Sequence, residues 1–226
     1  MSAALPSPLL VIEASSKLGS VAVVIDGKVA AGVDVAMGVS RDDGMFPAIQ
    51  SAMTECGLAP SQLAGVACGA GPGSFTSLRI AASLAKGLAH GAGVRLFAVP
   101  SLLLASSGLA AGAYLLHSDA LRGERFVLRV HVGADGSVVA VGAARRVAAD
   151  DLRTIGEGAG LVAVGSSPGT ALGDPIAWPA ASAVSGLGDW TRFGPVDLER
   201  WEPEYGRLAE AQVVWEKSHG HALPAA

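Results

Sequence analysis

The sequence is poor in cysteine and in clusters of positive charge. Its 226 residues include two cysteines, Cys56 and Cys68, which do not form a CxxC pair. We therefore expect free thiols in a reducing compartment rather than a disulfide framework or a zinc site. The formal net charge is −4, and no run of Lys or Arg is longer than Arg145–Arg146. Since phosphate neutralisation supplies most non-specific affinity for nucleic acid, contact with RNA would have to be indirect or shared with a basic partner.

Long apolar runs are also lacking. Residues 1–8 contain no Lys or Arg and are broken by Pro6 and Pro8, which is not typical of a signal peptide. The longest apolar stretch, 102–116, is interrupted by serine and glycine and is shorter than the roughly 20 residues that a spanning helix needs. Half of the residues are hydrophobic and 16% are charged, which predicts a folded globular protein. We expect a cytoplasmic protein without membrane association.

The motifs of several enzyme classes are missing as well. None of the five histidines forms HExxH or HxxxH, and no serine lies in GxSxG. The glycine-rich stretch at 69–73 spells neither a Walker A loop nor GxGxxG. The sequence therefore predicts no catalytic residue, no metal site and no cofactor.

What the chain does contain is two similar series of strand and helix patterns. Apolar runs predict strands at 9–14, 20–25, 28–33, 63–68, 94–99, 113–118, 126–132 and 137–143. Apolar periodicity predicts helices at 45–56, 76–90, 101–109 and 208–217. Hairpin turns are expected at Asp26–Gly27 and Asp135–Gly136, and a polar turn at 119–124. Because three strands open each half, we predict a duplicated α/β unit with domains at 1–110 and 111–226.

The segment GAGPGSFT at 69–76 is the most informative motif. A glycine-rich turn between a strand and a helix can cradle phosphate on its backbone N–H groups. It can also be a tight turn whose Ser74 or Thr76 caps the helix, and physical arguments alone favour this second interpretation. The residues of this signature loop are Gly71, Pro72, Gly73, Ser74, Phe75, Thr76 and Arg79.

The helix after this loop has an unusually wide apolar arc. Its polar residues Arg79, Ser83, Lys86 and His90 form one narrow stripe. Such a helix is either buried on two sides or meets a partner there. The predicted partner interface consists of Met45, Phe46, Ile49, Met53, Ala81, Leu84, Ala85 and Leu88. Without a partner, we expect a homodimer that uses the same face.

The block GPGSFTSLRIAASLAKGLA at 71–89 resembles the signature of the bacterial TsaB family, also called YeaZ, whose usual form is close to GPGSFTGLRIG…AKGLA. Three further segments resemble family motifs in the expected order. They are LVIEASS at 10–16 with GSVAV at 19–23, DALRGERF at 119–126, and the segment 203–212 with PEY and EAQ. The resemblance implies an α/β, actin-like (ASKHA) fold with two RNase H-like halves.

The resemblance also implies a function, the synthesis of threonylcarbamoyladenosine at position 37 of tRNA. In that family the transferase chemistry belongs to a TsaD-like subunit that carries HxxxH. TsaB is a non-catalytic subunit that dimerises with it through helices of the N-terminal half. A TsaE-like ATPase also binds the pair. Because this chain has no basic cluster, it would contact tRNA only indirectly.

The sequence departs from the family pattern at three motifs, and the region from about 156 to 200 matches it poorly. Glu13-Ala14 replaces Asp-Thr, residues 41–44 replace His-Ser-Glu, and Ser77 replaces a glycine. Two other classes stay open. One is an actin-like kinase or peptidase-like enzyme. A kinase, however, should carry a pair of phosphate-binding glycines after Asp119, and this sequence has no such pair there. The other is a homodimeric scaffold unrelated to tRNA.

Overall fold

Two five-stranded sheets form the framework of the chain. The computed structural model describes residues 5–37, 44–165, 173–205 and 218–220. The first sheet contains β1 (Leu9–Glu13), β2 (Leu18–Ile25), β3 (Lys28–Ala36), β4 (Gly65–Gly69) and β5 (Arg95–Val99). The second contains β6 (Gly112–Leu121), β7 (Glu124–Val132), β8 (Val138–Ala148), β9 (Gly160–Val164) and β10 (Ile176–Ala177). The helices are α1 (Met45–Glu55), α2 (Phe75–Ala92), α3 (Ser101–Leu104) and α4 (Leu152–Ile155).

The two sheets have the same topology. Their strand orders are β3-β2-β1-β4-β5 and β10-β9-β6-β7-β8. In each sheet the first strand of the half pairs antiparallel with the second and parallel with the fourth. Each half opens with three strands, and the predicted α/β class with an actin-like pair of halves is confirmed.

The first sheet is covered on both faces. On one face, α1 and α2 pack over Leu10, Ile12 and their neighbours on β2 and β4. On the other, Leu9 and Val11 pack against the segment 181–193, which includes 3₁₀ helices at Ala181–Gly186 and Trp190–Arg192. Because β1 is central and buried on both faces, it is apolar at four successive positions, as central strands are.

The segment 181–205 connects the two halves. Trp190 contacts Phe97 with ring centroids 5.5 Å apart, and the Val196 N–H donates to the Leu96 carbonyl over 2.9 Å. The predicted boundary near residue 110 separates the two sheets, but this later segment packs against the first one. The irregular composition of the region had given no indication of this placement.

Local features explain two differences from the predicted elements. The helix predicted at 101–109 ends at Leu104, where the Ser106 hydroxyl donates to the Leu103 carbonyl and Gly108 adopts a positive φ of 80°. The polar turn predicted at 119–124 is mostly strand, with the reversal confined to Arg122 and Gly123. Both of those residues have positive φ, as a tight hairpin requires.

Other predictions fall partly or wholly outside the described residues. The closing helix at 208–217, residues 41–43 and the EAQ part of the last motif belong to this group. In the regions that are described, no helix combines the length and apolar character needed to cross a membrane.

Candidate functional site

The signature loop joins β4 to α2 as a tight turn. The Ala70 N–H donates to the Val99 carbonyl over 2.7 Å, and the Ser74 N–H donates to the Ser15 carbonyl over 2.8 Å. The Gly71 N–H donates to the Ser101 hydroxyl over 3.0 Å. These backbone donors already have protein acceptors, which favours the tight-turn interpretation over a phosphate cradle.

The glycines of the loop are required by close approaches. A Cβ on Gly73 would lie 2.2 Å from the Ser15 carbonyl oxygen, and one on Gly71 would lie 2.1 Å from the Glu204 carbonyl oxygen. The side chain of Ser74 occupies the N-cap position of α2 but accepts no capping hydrogen bond from the described helix backbone. Instead the Ser77 hydroxyl donates to the Ser74 hydroxyl over 3.1 Å.

A buried carboxylate lies directly beneath this loop. Glu13 ends β1 and is 0% exposed. Its Oε1 accepts the Ser15 N–H over 2.5 Å, and its Oε2 accepts the Ser101 hydroxyl over 2.8 Å. Burial raises the pKa of Glu13, and the hydrogen bonds from Ser15 and Ser101 offset part of that rise. The carboxylate is therefore a component of the interior and is not available to a bound molecule.

The segment 201–205 lies on the outer side of the loop and of α2; we call it the strap. The Glu204 N–H donates to the Ala70 carbonyl over 2.8 Å. The centroids of the Tyr205 and Phe75 rings are 4.7 Å apart. The Arg79 guanidinium carbon lies over the Phe75 ring, 5.2 Å from its centroid. Burial, aided by Glu202, raises the pKa of Tyr205 to about 12. The sequence matched this PEY motif but gave no signal that it packs on α2.

The strap also uses the polar stripe of α2. Lys86 Nζ lies 3.4 Å from a Glu202 carboxylate oxygen and 5.8 Å from the centre of the Trp201 ring. The stripe therefore does not simply face solvent. Of the two explanations for the wide apolar arc, burial by the chain itself accounts for this part of the helix.

The predicted partner interface divides into two groups. Five of its residues lie in the chain's own core under α1 and α2: Met45, Ile49, Met53, Ala81 and Ala85. Ala81 and Ala85 are fully buried against the sheet, so they cannot present their side chains to another chain, and this part of the prediction needs correcting. The accessible residues are Phe46, which is 48% exposed, and the half-buried Leu84 and Leu88.

An apolar groove runs between α1 and the segment 58–63 that precedes β4, next to α2. Its volume is about 360 Å³. The lining residues are Leu10, Phe46, Ile49, Gln50, Met53, Thr54, Leu58, Pro60, Leu63 and Leu88. Ile49 and Met53 thus keep a small accessible edge, while Phe46 stands at the rim. Exposed apolar surface of this kind is typical of protein–protein contact sites.

The second half contains a different buried polar pair. His117 on β6 is buried, and its Nε2 lies 3.2 Å from an Asp174 carboxylate oxygen. Burial lowers the pKa of His117, while the hydrogen bond that its ring makes to the Asp174 carboxylate acts in the opposite direction. Within the described ranges, no group of three or more His, Cys, Asp or Glu side chains is arranged to hold a metal ion.

Comparison with known proteins points to one pathway. Residues 43–147, slightly less than half of the chain, match the family model described as "TsaD: tRNA N6-adenosine threonylcarbamoyltransferase". Two curated relatives are named tRNA threonylcarbamoyladenosine biosynthesis protein TsaB. The one from Bacillus subtilis (strain 168) is 41% identical over 64 residues, which cover 28% of each chain. The one from Escherichia coli (strain K12) is 32% identical over 100 residues, which cover 44% of this chain and 43% of the relative. The chain thus matches less than half the length of these relatives.

Solved structures agree in fold over a longer range. A structure described as YeaZ from Pseudomonas aeruginosa has a TM-score of 0.71 and 21% identity, and covers 88% of this chain and 99% of its own. Another from Pseudomonas aeruginosa, described as similar to peptidase YEAZ, has a TM-score of 0.73 and 23% identity, with coverage of 89% and 100%. These structures show the fold of the chain, and the local identity to TsaB proteins together with the GPGSFT turn at the start of α2 makes the chain similar to the TsaB (YeaZ) family.

Proposed function

We propose that this chain is a non-catalytic subunit for the synthesis of N6-threonylcarbamoyladenosine at position 37 of bacterial tRNA. It docks on a TsaD-like transferase through the face of α1 and α2. A TsaE-like ATPase joins the pair, and tRNA is held mainly by the partners, in the cytoplasm. An isolated chain forms a homodimer through the same face.

The observation that carries the proposal is the apolar groove beside Phe46. The groove has a volume of about 360 Å³, and the Phe46 side chain at its rim is 48% exposed. A partner that covers the groove would bury the Phe46 ring, which can then act as an anchor residue. The groove lies on elements of the region that matches the TsaD family model. A shared ancestry of two subunits fits pairing between like faces, because two-fold contacts reuse equivalent surfaces.

The non-catalytic role is supported by the chemistry of the described residues. The carboxylate that an actin-like nucleotide site would need at the end of the first strand is Glu13, which is fully buried and already hydrogen-bonded. In the turn at 69–74, the N–H groups of Ala70, Gly71 and Ser74 donate to acceptors within the chain. A subunit of this kind changes a rate only by favouring one conformation of its partner through differential binding.

Phe46→Glu is the test of the docking face, with Val141→Glu as the matched control. Val141 is 55% exposed and lies on the other sheet, so both substitutions place a charge at an accessible apolar site. Both variants should keep the parent's thermal stability. We expect Phe46→Glu to weaken binding to a purified TsaD-like transferase by at least about 30-fold, the loss of a typical anchor residue of about 2 kcal/mol. Isothermal titration measures it.

Activity is measured by reconstituting the transferase with each variant and quantifying the modified nucleoside in tRNA by mass spectrometry. Phe46→Glu should lower the yield and Val141→Glu should not. Equal binding by both variants would exclude the α1–α2 face as the docking site. Full modification in cells depleted of the chain, with no second TsaB-like protein present, would refute the function itself.

A further inference from the structure

We propose that Glu13 is a positioning residue, which holds both ends of the signature loop and thereby fixes the start of α2 for partner docking. The part that concerns docking rests on the proposed function. The part that concerns the loop does not, because it can be tested on the chain alone.

Two hydrogen-bonded routes lead from the Glu13 carboxylate to the loop. In the first, Oε2 accepts the Ser101 hydroxyl, and the same Ser101 oxygen accepts the Gly71 N–H. The Ser101 N–H returns a bond of 2.8 Å to the Gly71 carbonyl, so Ser101 holds Gly71 on both sides of its peptide backbone. This route fixes the end of the loop that follows β4.

The second route reaches the other end of the loop. Oε1 accepts the Ser15 N–H, and the Ser15 carbonyl accepts the N–H of Ser74, the N-cap residue of α2. One carboxylate therefore connects β1, the first residue of α3 and both ends of the loop. Each of its two oxygens has its own donor, so each end of the carboxylate serves one route.

The length of the side chain matters for this arrangement. Glu13 stands where the family pattern has an aspartate, which is shorter by one methylene group. The extra reach brings Oε2 under β4, where a Cβ on Gly69 would lie only 1.9 Å from it. The space above the carboxylate is open only because residue 69 is a glycine. We infer that an aspartate at position 13 could not maintain both routes.

The loop position matters for docking because α2 begins at Phe75. The Phe75 ring packs against the Tyr205 ring at a tilted angle, and Leu88 further along the same helix lines the apolar groove. Movement of the first turn of α2 would therefore change the position of the strap and of the groove wall together. Glu13 is fully buried and contacts no docking surface, so its effect on a partner must pass through the loop.

The first experiment compares Ser101→Ala with Ser106→Ala in the full chain. Both serines are buried, and both donate a hydroxyl hydrogen bond, but that of Ser106 goes to the nearby Leu103 carbonyl. We expect Ser101→Ala to accelerate hydrogen exchange of the amides at 70–78 by about ten-fold, the effect of one buried hydrogen bond. Ser106→Ala should leave those amides unchanged. Unchanged exchange at 70–78 in Ser101→Ala would overturn the proposal.

The second experiment uses Glu13→Gln and Glu13→Asp. Glutamine has the same side-chain length as glutamate. Its oxygen can therefore accept the Ser15 N–H, and its amide NH₂ can donate to the Ser101 oxygen. The amides at 70–78 should exchange in Glu13→Gln as they do in the parent. In Glu13→Asp, whose side chain is shorter, they should exchange as fast as in Ser101→Ala. Equal exchange in the two variants would contradict the inferred role of side-chain length.

Binding to a TsaD-like transferase separates this proposal from the proposed function. We expect Ser101→Ala and Glu13→Asp to weaken binding by about ten-fold while Ser106→Ala does not. If the parent chain itself does not bind the transferase, the proposed function fails, and the exchange data still decide the positioning role. If Ser101→Ala loosens the loop yet binds like the parent, the link from loop to docking is refuted.

Discussion

The two halves share one sheet topology but differ in what covers it. In the first half, β3 and β4 are connected through the 11-residue α1, and β4 and β5 through the 18-residue α2. In the second half, β8 and β9 are connected through the four-residue α4. The longer helices bury a core cluster on one face of the first sheet and leave an apolar groove at their edge.

The second sheet is covered less evenly. Leu152 of α4 packs on Leu115 and Val127, whereas Val139 and Val141 on the edge strand β8 are exposed. A hollow of about 220 Å³ lies there, lined by Leu115, Val127, Arg129, Val141, Ala143, Arg145 and Ile155. The comparison teaches that the shared topology alone does not create the apolar groove beside Phe46; the inserted helices do. Three predictions test this difference between the halves.

The largest effect is expected from a charge in the helical layer of the first half. Ala81→Glu and Ala85→Glu each place an unpaired carboxylate at a site that is 0% exposed. We expect both to unfold the chain or to lower its free energy of unfolding by about 3–5 kcal/mol. Ser83→Glu, on an exposed position of the same helix, should cost little. Circular dichroism during thermal unfolding measures all three.

A folded, monomeric Ala81→Glu variant would contradict this prediction. It would mean that α2 can turn this position away from the sheet and towards a partner. Val141→Glu extends the comparison to the other half, since its exposed site on β8 should accept the same charge with less than about 0.5 kcal/mol of change.

An intermediate effect is expected from glycine substitutions in the first half. Gly69→Ala places a methyl group 1.9 Å from Glu13 Oε2, so either β4 or the carboxylate must move. We expect this movement to lower the free energy of unfolding by about 1–3 kcal/mol. Gly87→Ala on α2 meets no described atom within 4 Å and should stabilise the helix by about 0.5–1 kcal/mol. Denaturant unfolding of both variants gives the two values. Similar changes in both would show that crowding at Glu13 is not what selects glycine at position 69.

The smallest effect is expected from pH, and it has opposite signs in the two halves. Burial lowers the pKa of His117 in the folded state, so its contribution to stability is present above the unfolded value of 6.5 and is lost as pH falls below it. Burial raises the pKa of Glu13, so the folded state loses stability as pH rises above 4.5. Asp174 and Arg125 are the charged groups that also act on His117.

Denaturant unfolding between pH 5 and 8 can separate the two groups. The stability difference between the parent and His117→Gln should shrink as pH falls, because the parent alone loses the histidine contribution. For Glu13→Gln, stability relative to the parent should improve as pH rises. Parallel pH profiles for the parent and both variants would exclude these groups as the source of the pH dependence.

Much of the framework was accessible from the sequence because it depends on local patterns. Apolar runs separated by Asp-Gly pairs predicted the three strands that open each half, and Asp26 and Gly27 do adopt the positive φ values of such a turn. The periodicity at 45–56 predicted α1, and the GPGSFT block located the turn before α2. By contrast, α4 is only four residues long, which is too short for any helical period to be recognised.

The tertiary structure decided what covers each apolar surface. The wide arc of α2 indicated burial, but only the fold assigned Ala81 and Ala85 to the chain's own sheet and placed the strap on the polar stripe. Glu13 and Ser101 are 88 residues apart in sequence, and no local pattern connects them. A hydrophobic period indicates that a side chain is buried, but it does not indicate which segment covers it. The covering segment is determined by packing between distant parts of the chain.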